Sequence, residues 1–184
     1  MAQKKYEVEI KGVTPLLQNR FAGADEVAEK STKRKAETTK ENDVNNTIYK
    51  MPDGTIYQPA DSIKQSLIEA GKAFKKGKSN LSKTFASFLM LENDAIPHLN
   101  QEWVTDRRAV VIPSTHGRVM RNRARFDEWS LRFRVVSLDD DEINQNQLHN
   151  TLDYAGNYVG IGDYRPQKKG MFGRFITTSI KEVK

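Results

Sequence analysis

Hydrophobic positions follow period-two and helical spacings over part of the chain and vanish elsewhere. Near the start, Tyr6, Val8 and Ile10 alternate with Glu7, Glu9 and Lys11, the pattern of a half-buried strand ended by Gly12. The cleanest alternation is Trp129 to Leu138, with Trp129, Leu131, Phe133 and Val135 on one side and Ser130, Arg132 and Arg134 on the other. Ala109-Val110-Val111-Ile112 is β-branched and reads as a short strand closed by Pro113. Met171 to Ile180 reads as the last strand. Two stretches have helical spacing. In the first, Ile63, Leu67, Ile68 and Ala70 follow a cap at Asp61 or Ser62. In the second, Ile143, Leu148, Leu152 and Ala155 follow Asp139 to Glu142, acids suited to a helix N-terminus. The order is strand, helix, strand, strand, helix, strand. This predicts an α+β fold with a ferredoxin-like (RRM-like) βαββαβ core. Insertions are expected after the first strand and between the first helix and second strand, around residues 79–106.

The insertions lack a clear stripe. Residues 22–47 are rich in Ala, Glu, Lys, Thr and Asn with almost no large apolar side chains, and read as a polar insertion ordered by a partner if at all. Met51-Pro52-Asp53-Gly54-Thr55 is a turn signal, so Ile48 to Tyr57 is expected to form a small hairpin. Leu81 to Leu91 is apolar enough to be buried as either helix or strand, and Asp94 to Asp106 reads as loop. Gly71 and the basic run Lys72 to Lys78 loosen the far end of the first helix.

Composition narrows the chemistry. The 184 residues fit one domain, 1–184, with enough chain for a core that needs no staples. There is no cysteine, which excludes disulfides, thiol catalysis and thiolate metal sites. The sequence signals neither a metal site nor a cofactor. The three adjacent aspartates 139–141 fit capping better than metal binding. No apolar run approaches the ~18 residues of a membrane span and the first residues lack a signal-peptide core, so a cytoplasmic protein with no membrane partner is expected.

Net charge is +6. Residues 107–134 contain the arginines at 107, 108, 118, 121, 123, 125, 132 and 134 against only Asp127 and Glu128, so this stretch holds the whole surplus. Arginine concentrated in this way favours phosphate recognition, because its planar fork matches phosphate oxygens. If Ser114–Phe126 and Trp129–Leu138 pair, the two merge into one basic hairpin at 107–134.

A glycine-rich loop, Gly160 to Phe175, follows the second helix. Gly160, Gly162, Gly170 and Gly173 frame Arg165, Lys168 and Lys169, with Arg174 just beyond. Glycine lets backbone or phosphate approach closely, so the loop reads as a polyanion cradle, a tight helix-to-strand connection, or both.

Two motifs carry a family resemblance. Gly160-Ile161-Gly162, then Gly170-Met171-Phe172-Gly173-Arg174-Phe175, resembles the C-terminal glycine-rich signature of the RAMP superfamily, the RNA-binding proteins of CRISPR effector complexes. Tyr57 to Leu67 is similar to the segment in which a proline-led turn opens the family's first helix. Ala60-Asp61 stands where the family often has Gly-Ser, and Gln65 where it often has Gly. The resemblance implies that Ser62 and Lys64 lie near the guide-RNA backbone. It further implies a small backbone subunit, copies of which stack head to tail along single-stranded guide RNA beside other effector subunits, with target nucleic acid as a further partner. Arg118, Arg121, Arg123, Arg125, Arg132, Arg134, Arg165, Lys168, Lys169 and Arg174 are the cations expected to meet phosphates. Phe126, Tyr164 and Phe172 are aromatics near them, with Phe172 also fitting a core position.

Catalysis has weaker support. Among His98, His116 and His149, only His116 sits in the arginine-rich segment, as the general base of an alternative metal-independent endoribonuclease. Asp25 and Asp43 lie in the loop where the resemblance implies a target-cleaving aspartate, without a flanking motif. A third reading is a phage or mobile-element single-stranded DNA-binding protein of the same fold.

Overall fold

The computed structural model describes residues 2–20, 44–111 and 116–183. Its centre is a four-stranded antiparallel sheet in the order β11-β1-β10-β6, where β1 is Lys4–Gly12, β6 Leu89–Leu91, β10 Ser130–Ser137 and β11 Phe175–Val183. β1 pairs along its length with β10 (Val8 opposite Phe133) and with β11 (Val8 opposite Ile180), with a bulge after Glu9. The inward residues Tyr6, Val8, Ile10, Leu131, Phe133 and Val135 are buried with Ile63 and Leu67 of helix α1 (Ala60–Ala70) and Leu148 and Leu152 of a later helix. The alternation in β1 and β10 thus becomes one face of a core, as period two requires.

Between α1 and β6 lie a two-stranded turn, β4 (Lys75–Lys76) with β5 (Ser79–Asn80), and helix α2 (Leu81–Phe88), capped by the Asn80 side chain. Helix α3 is Gln145–Tyr154 and continues as one wide π-helical turn, Ala155–Val159. The hairpin expected at 48–57 is present as a Lys50–Ile56 bridge across a turn at Gly54.

Two further pairings complete the fold. β3 (Tyr57–Pro59) pairs with β7 (Ala95–Pro97). β8 (Val104–Val111) and β9 (Arg118–Phe126) form a long antiparallel ribbon rooted on β2 (Leu16–Gln18) through Leu16 opposite Phe126.

Several boundaries differ from the sequence reading. The second strand of the central sheet is Leu89–Leu91 rather than Ala109–Ile112. A three-residue strand directly after a helix has no room to show alternation, whereas β8 is long and β-branched but belongs to another sheet. The basic hairpin is therefore β8–β9, and β10, which was expected to close it over 107–134, lies in the central sheet. Within the expected loop 94–106, Ala95–Pro97 and the start of β8 are strand. The last strand begins at Phe175, not Met171.

Neither expected side-chain cap forms. Pro59 precedes α1, and the Ser62 hydroxyl donates back to the Pro59 carbonyl at 2.7 Å instead of capping. Helix α3 starts after Asn144, whose side chain and Gln147 form a reciprocal capping box. Asp139 instead accepts from the Asp141 N–H at 3.2 Å. Asp140 accepts from the Tyr6 hydroxyl at 2.8 Å and pairs with Lys4 at 3.1 Å, which holds its carboxyl below the usual range. Burial, aided by that bond, raises the Tyr6 phenol.

Candidate nucleic-acid interface

The ribbon's register sorts its charges onto two faces. Arg121, Arg123 and Arg125 share one face with Arg108, Asp106 and Val104 directly opposite them, whereas Arg118 and Arg107 fall on the other face with Met120. Most of the first face is internally neutralised. Arg108 forms a two-pronged bond to Asp106 at 2.6 and 2.5 Å, which raises its own pKa. Arg125 donates to Asp127 at 2.7 Å.

Arg123, expected to meet phosphate, is only 6% exposed. It is paired with Asp163 of the glycine loop and lies 5.0 Å from the centre of the Tyr164 ring. Arg108 approaches the same ring at 5.8 Å and the buried Phe172 ring at 4.6 Å. These contacts clamp the ribbon to the glycine loop through cation–π and ionic interactions. Arg107, Arg118 and Arg121 are exposed and have no partner among the described residues. They are the ribbon's available cations.

Arg132 and Arg134 are also spoken for. On the outer face of the central sheet, Arg132 donates to Glu9 at 2.9 and 3.1 Å. Arg134 reaches Glu92 at 3.3 Å and Glu7 at 3.8 Å, and Lys5 also holds Glu92. Acids from β1 and the segment after β6 turn this face into a mixed lattice, not a basic platform.

The glycine loop is tied down by its own backbone. N–H groups of Ile161, Asp163, Gly170, Phe172 and Gly173 donate to Gly173, Leu17, Arg165, Tyr164 and Pro15 carbonyls at 2.8–3.1 Å. Those donors are therefore turned inward, so they do not form a backbone anion nest. Close packing demands the glycines. A Cβ at Gly170 would sit 1.7 Å from the Tyr164 oxygen, and one at Gly173, where φ is +70°, 1.9 Å from the Ile161 oxygen. Gly160 and Gly162 also have positive φ. The cradle reading thus shifts to the loop's side chains. Lys168 and Lys169 are exposed, Arg165 bonds its own loop at Gly162 and Gln167, and Arg174 is bonded to the Asn157 carbonyl.

Where β2, the start of α1 and this loop meet, a cleft of about 440 Å³ is lined by Gln18, Asn19, Tyr49, Ser62, Asp163 and Arg165, among others. A buried polar chain stands behind it. Gln18 donates to the Tyr57 carbonyl at 2.9 Å and to Gln58 at 3.2 Å, and Gln58 donates to Ser62 at 2.8 Å. The same Gln18 amide faces the His98 Nε2 at 3.3 Å. His98 is 3% exposed, packs with its ring tilted 4.7 Å from that of Phe126, and burial lowers its pKa to about 4. It is a neutral core histidine. No local sequence signal marks Gln18, Gln58, His98 or Asp163, because the contacts Gln18–Tyr57, Gln18–Gln58, Gln18–His98 and Arg123–Asp163 each span 39 or more residues. Lys64 is half-buried on α1 without a partner among the described residues.

For catalysis, His116 is exposed at the ribbon with φ +53°. Its ring has no hydrogen-bond or ionic partner among the described residues to orient it as a base. Asp25 and Asp43 lie outside the described residues. Among those described, no group of His, Asp and Glu is arranged to hold a metal ion.

No protein-family model and no curated protein matches the sequence. The fold matches a chain from the cryo-EM structure of the Type III-B Cmr-beta bound to cognate target RNA, with a TM-score of 0.65 and 12% identity. The match covers 99% of this chain and 61% of that one, so this chain spans less than two thirds of its structural neighbour. At this identity the likeness is one of fold: the chain has the mixed α/β architecture of a subunit found in that assembly.

Proposed function

We propose that the chain is an RNA-binding subunit of a CRISPR-type effector complex, built on a RAMP-type ferredoxin-like core as a single domain. Its copies lie head to tail along single-stranded guide RNA beside other effector subunits in the cytoplasm. The observation that carries this reading is the ribbon with Arg107, Arg118 and Arg121 exposed and without a partner among the described residues, on a fold shared with a chain of an RNA-bound Cmr complex. The element order and the sheet order β11-β1-β10-β6 support the ferredoxin-like core.

Phosphate contacts position a protein without reading bases, which suits a subunit that must hold any guide sequence. Arg107, Arg118 and Arg121 supply most of those contacts, and Lys168 and Lys169 of the glycine loop and Lys64 of α1 add to them. Arg123 and Asp163 set the ribbon's angle. Head-to-tail contacts between copies are heterologous and extend as an open series.

Ribonuclease digestion of a long RNA saturated with the protein tests this. Protected fragments that grow by a constant increment are expected. A single footprint length overturns the stacking of copies, and no protection overturns RNA binding.

A further inference from the structure

The helical side of the molecule carries an aromatic series that the ribbon does not explain. The Phe74 and Tyr154 rings meet edge to face at 5.6 Å, and Tyr154 and Tyr158 lie 4.7 Å apart. Tyr158 sits in the π-helical turn after α3, four residues beyond Tyr154 and so on the same side. It is 63% exposed, an unusual position for so large a ring. Phe74 reaches the series from the position just before the short β4–β5 hairpin, and Lys76 of that hairpin pairs with Glu142, shortly before α3.

Cations stand at both ends. Lys75 and Lys78 of the hairpin are exposed without a partner among the described residues. At the other end, Arg174 is bonded to the carbonyl of Asn157, next to Tyr158. Of the neighbouring acids, Glu69 is paired with Lys72 at 2.6 Å and Glu142 with Lys76, and Asp153 contacts the His149 ring at 3.2 Å. The surface therefore offers an exposed Tyr158 ring, with Lys75 and Lys78 of the adjoining hairpin exposed and without a partner among the described residues. A strand with unpaired bases matches both features, since its bases stack on aromatics while its phosphates meet cations. A duplex hides its base faces, and an acidic peptide has no use for the rings.

We infer that Tyr158, backed by Tyr154 and Phe74 and flanked by Lys75 and Lys78, forms a second single-stranded nucleic-acid track, separate from the ribbon. It rests on the RNA-binding reading for its ligand class but not for its location.

Fluorescence anisotropy with a uridine homopolymer and an abasic strand of equal length tests it. Tyr158→Ala is expected to weaken the homopolymer about tenfold, within the range for one stacked base, and to leave the abasic strand unchanged. Tyr158→Phe keeps wild-type binding. Lys75→Ala with Lys78→Ala weakens both strands and lowers the salt slope by about one. Tyr158→Ala that binds the homopolymer like wild type overturns the track, as does equal weakening of both strands. If the ribbon variants lose binding while Tyr158→Ala does not, the track alone fails. Wild type that binds neither strand overturns the RNA-binding reading itself.

Discussion

Arg123 of the ribbon and Asp163 of the glycine loop form an ion pair that joins two segments 40 residues apart. The guanidinium is nearly enclosed, with Tyr164 beside it, whereas the carboxylate is about one third exposed. This pair turns the most buried arginine of the basic cluster into a tie between the ribbon and the glycine loop.

Removing the carboxylate strands a buried cation. Asp163→Ala is expected to cost about 2–3 kcal/mol, below the ~3–5 kcal/mol of a fully enclosed pair because Asp163 is partly solvated. Urea unfolding checks this, and an unchanged midpoint would show that the pair contributes nothing to stability.

RNA binding should divide the arginines by their partners. Replacing Arg107, Arg118 and Arg121 with Ala is expected to reduce the log–log salt slope by about two, at ~0.7 per single-strand phosphate contact. Arg132→Ala with Arg134→Ala should leave the slope near wild type, because Glu9, Glu7 and Glu92 already occupy those side chains. Titration over a range of KCl distinguishes the two sets, and equal losses would refute the division.

His98 links stability to pH. Its folded pKa of about 4 lies below the ordinary 6.5 because burial disfavours the imidazolium. The unfolded chain therefore binds the proton more readily. Stability is full above pH 6.5, falls as pH drops toward 4, and loses about 3 kcal/mol in all from this group. Urea midpoints at pH 7 and pH 5 should differ less in His98→Gln than in wild type. Parallel curves would remove His98 as the cause.

Two glycines with positive φ should respond differently to alanine. Gly173→Ala meets the Ile161 oxygen and is expected to cost roughly 2–4 kcal/mol, while Gly54→Ala, with open space around it, costs only the ~1 kcal/mol of its backbone conformation. Thermal melts of both variants provide the comparison, and similar shifts would argue against the close packing.

Elements whose core face repeats along one segment were legible in the sequence. β1, β10 and the two helices of the central layer fall where the alternation and helical spacing put them, apart from their caps and ends. β6 was not legible, because three residues after a helix cannot display a period, and its place in the sheet depends on Val135 and Ser137 of β10. The candidate site was legible only as a list of cations. His98 looked like a loop residue beside Pro97, yet its burial is made by Gln18 and Phe126 from remote segments. The basic run near Lys75 gave no hint that Phe74 would meet Tyr154.

The sequence by itself determined the α+β class, the absence of thiol chemistry, and the concentration of positive charge between residues 107 and 134. Those are properties of local pattern and composition. Only the tertiary structure decided which cations remain available, since an arginine's charge is cancelled or kept by acids brought to it across the fold. Glu9 takes Arg132 and Asp163 takes Arg123, while Arg107, Arg118 and Arg121 stay without a described partner. The physical reason is that pairing energies depend on distance and burial in space, and neither is written in the spacing of residues along the chain.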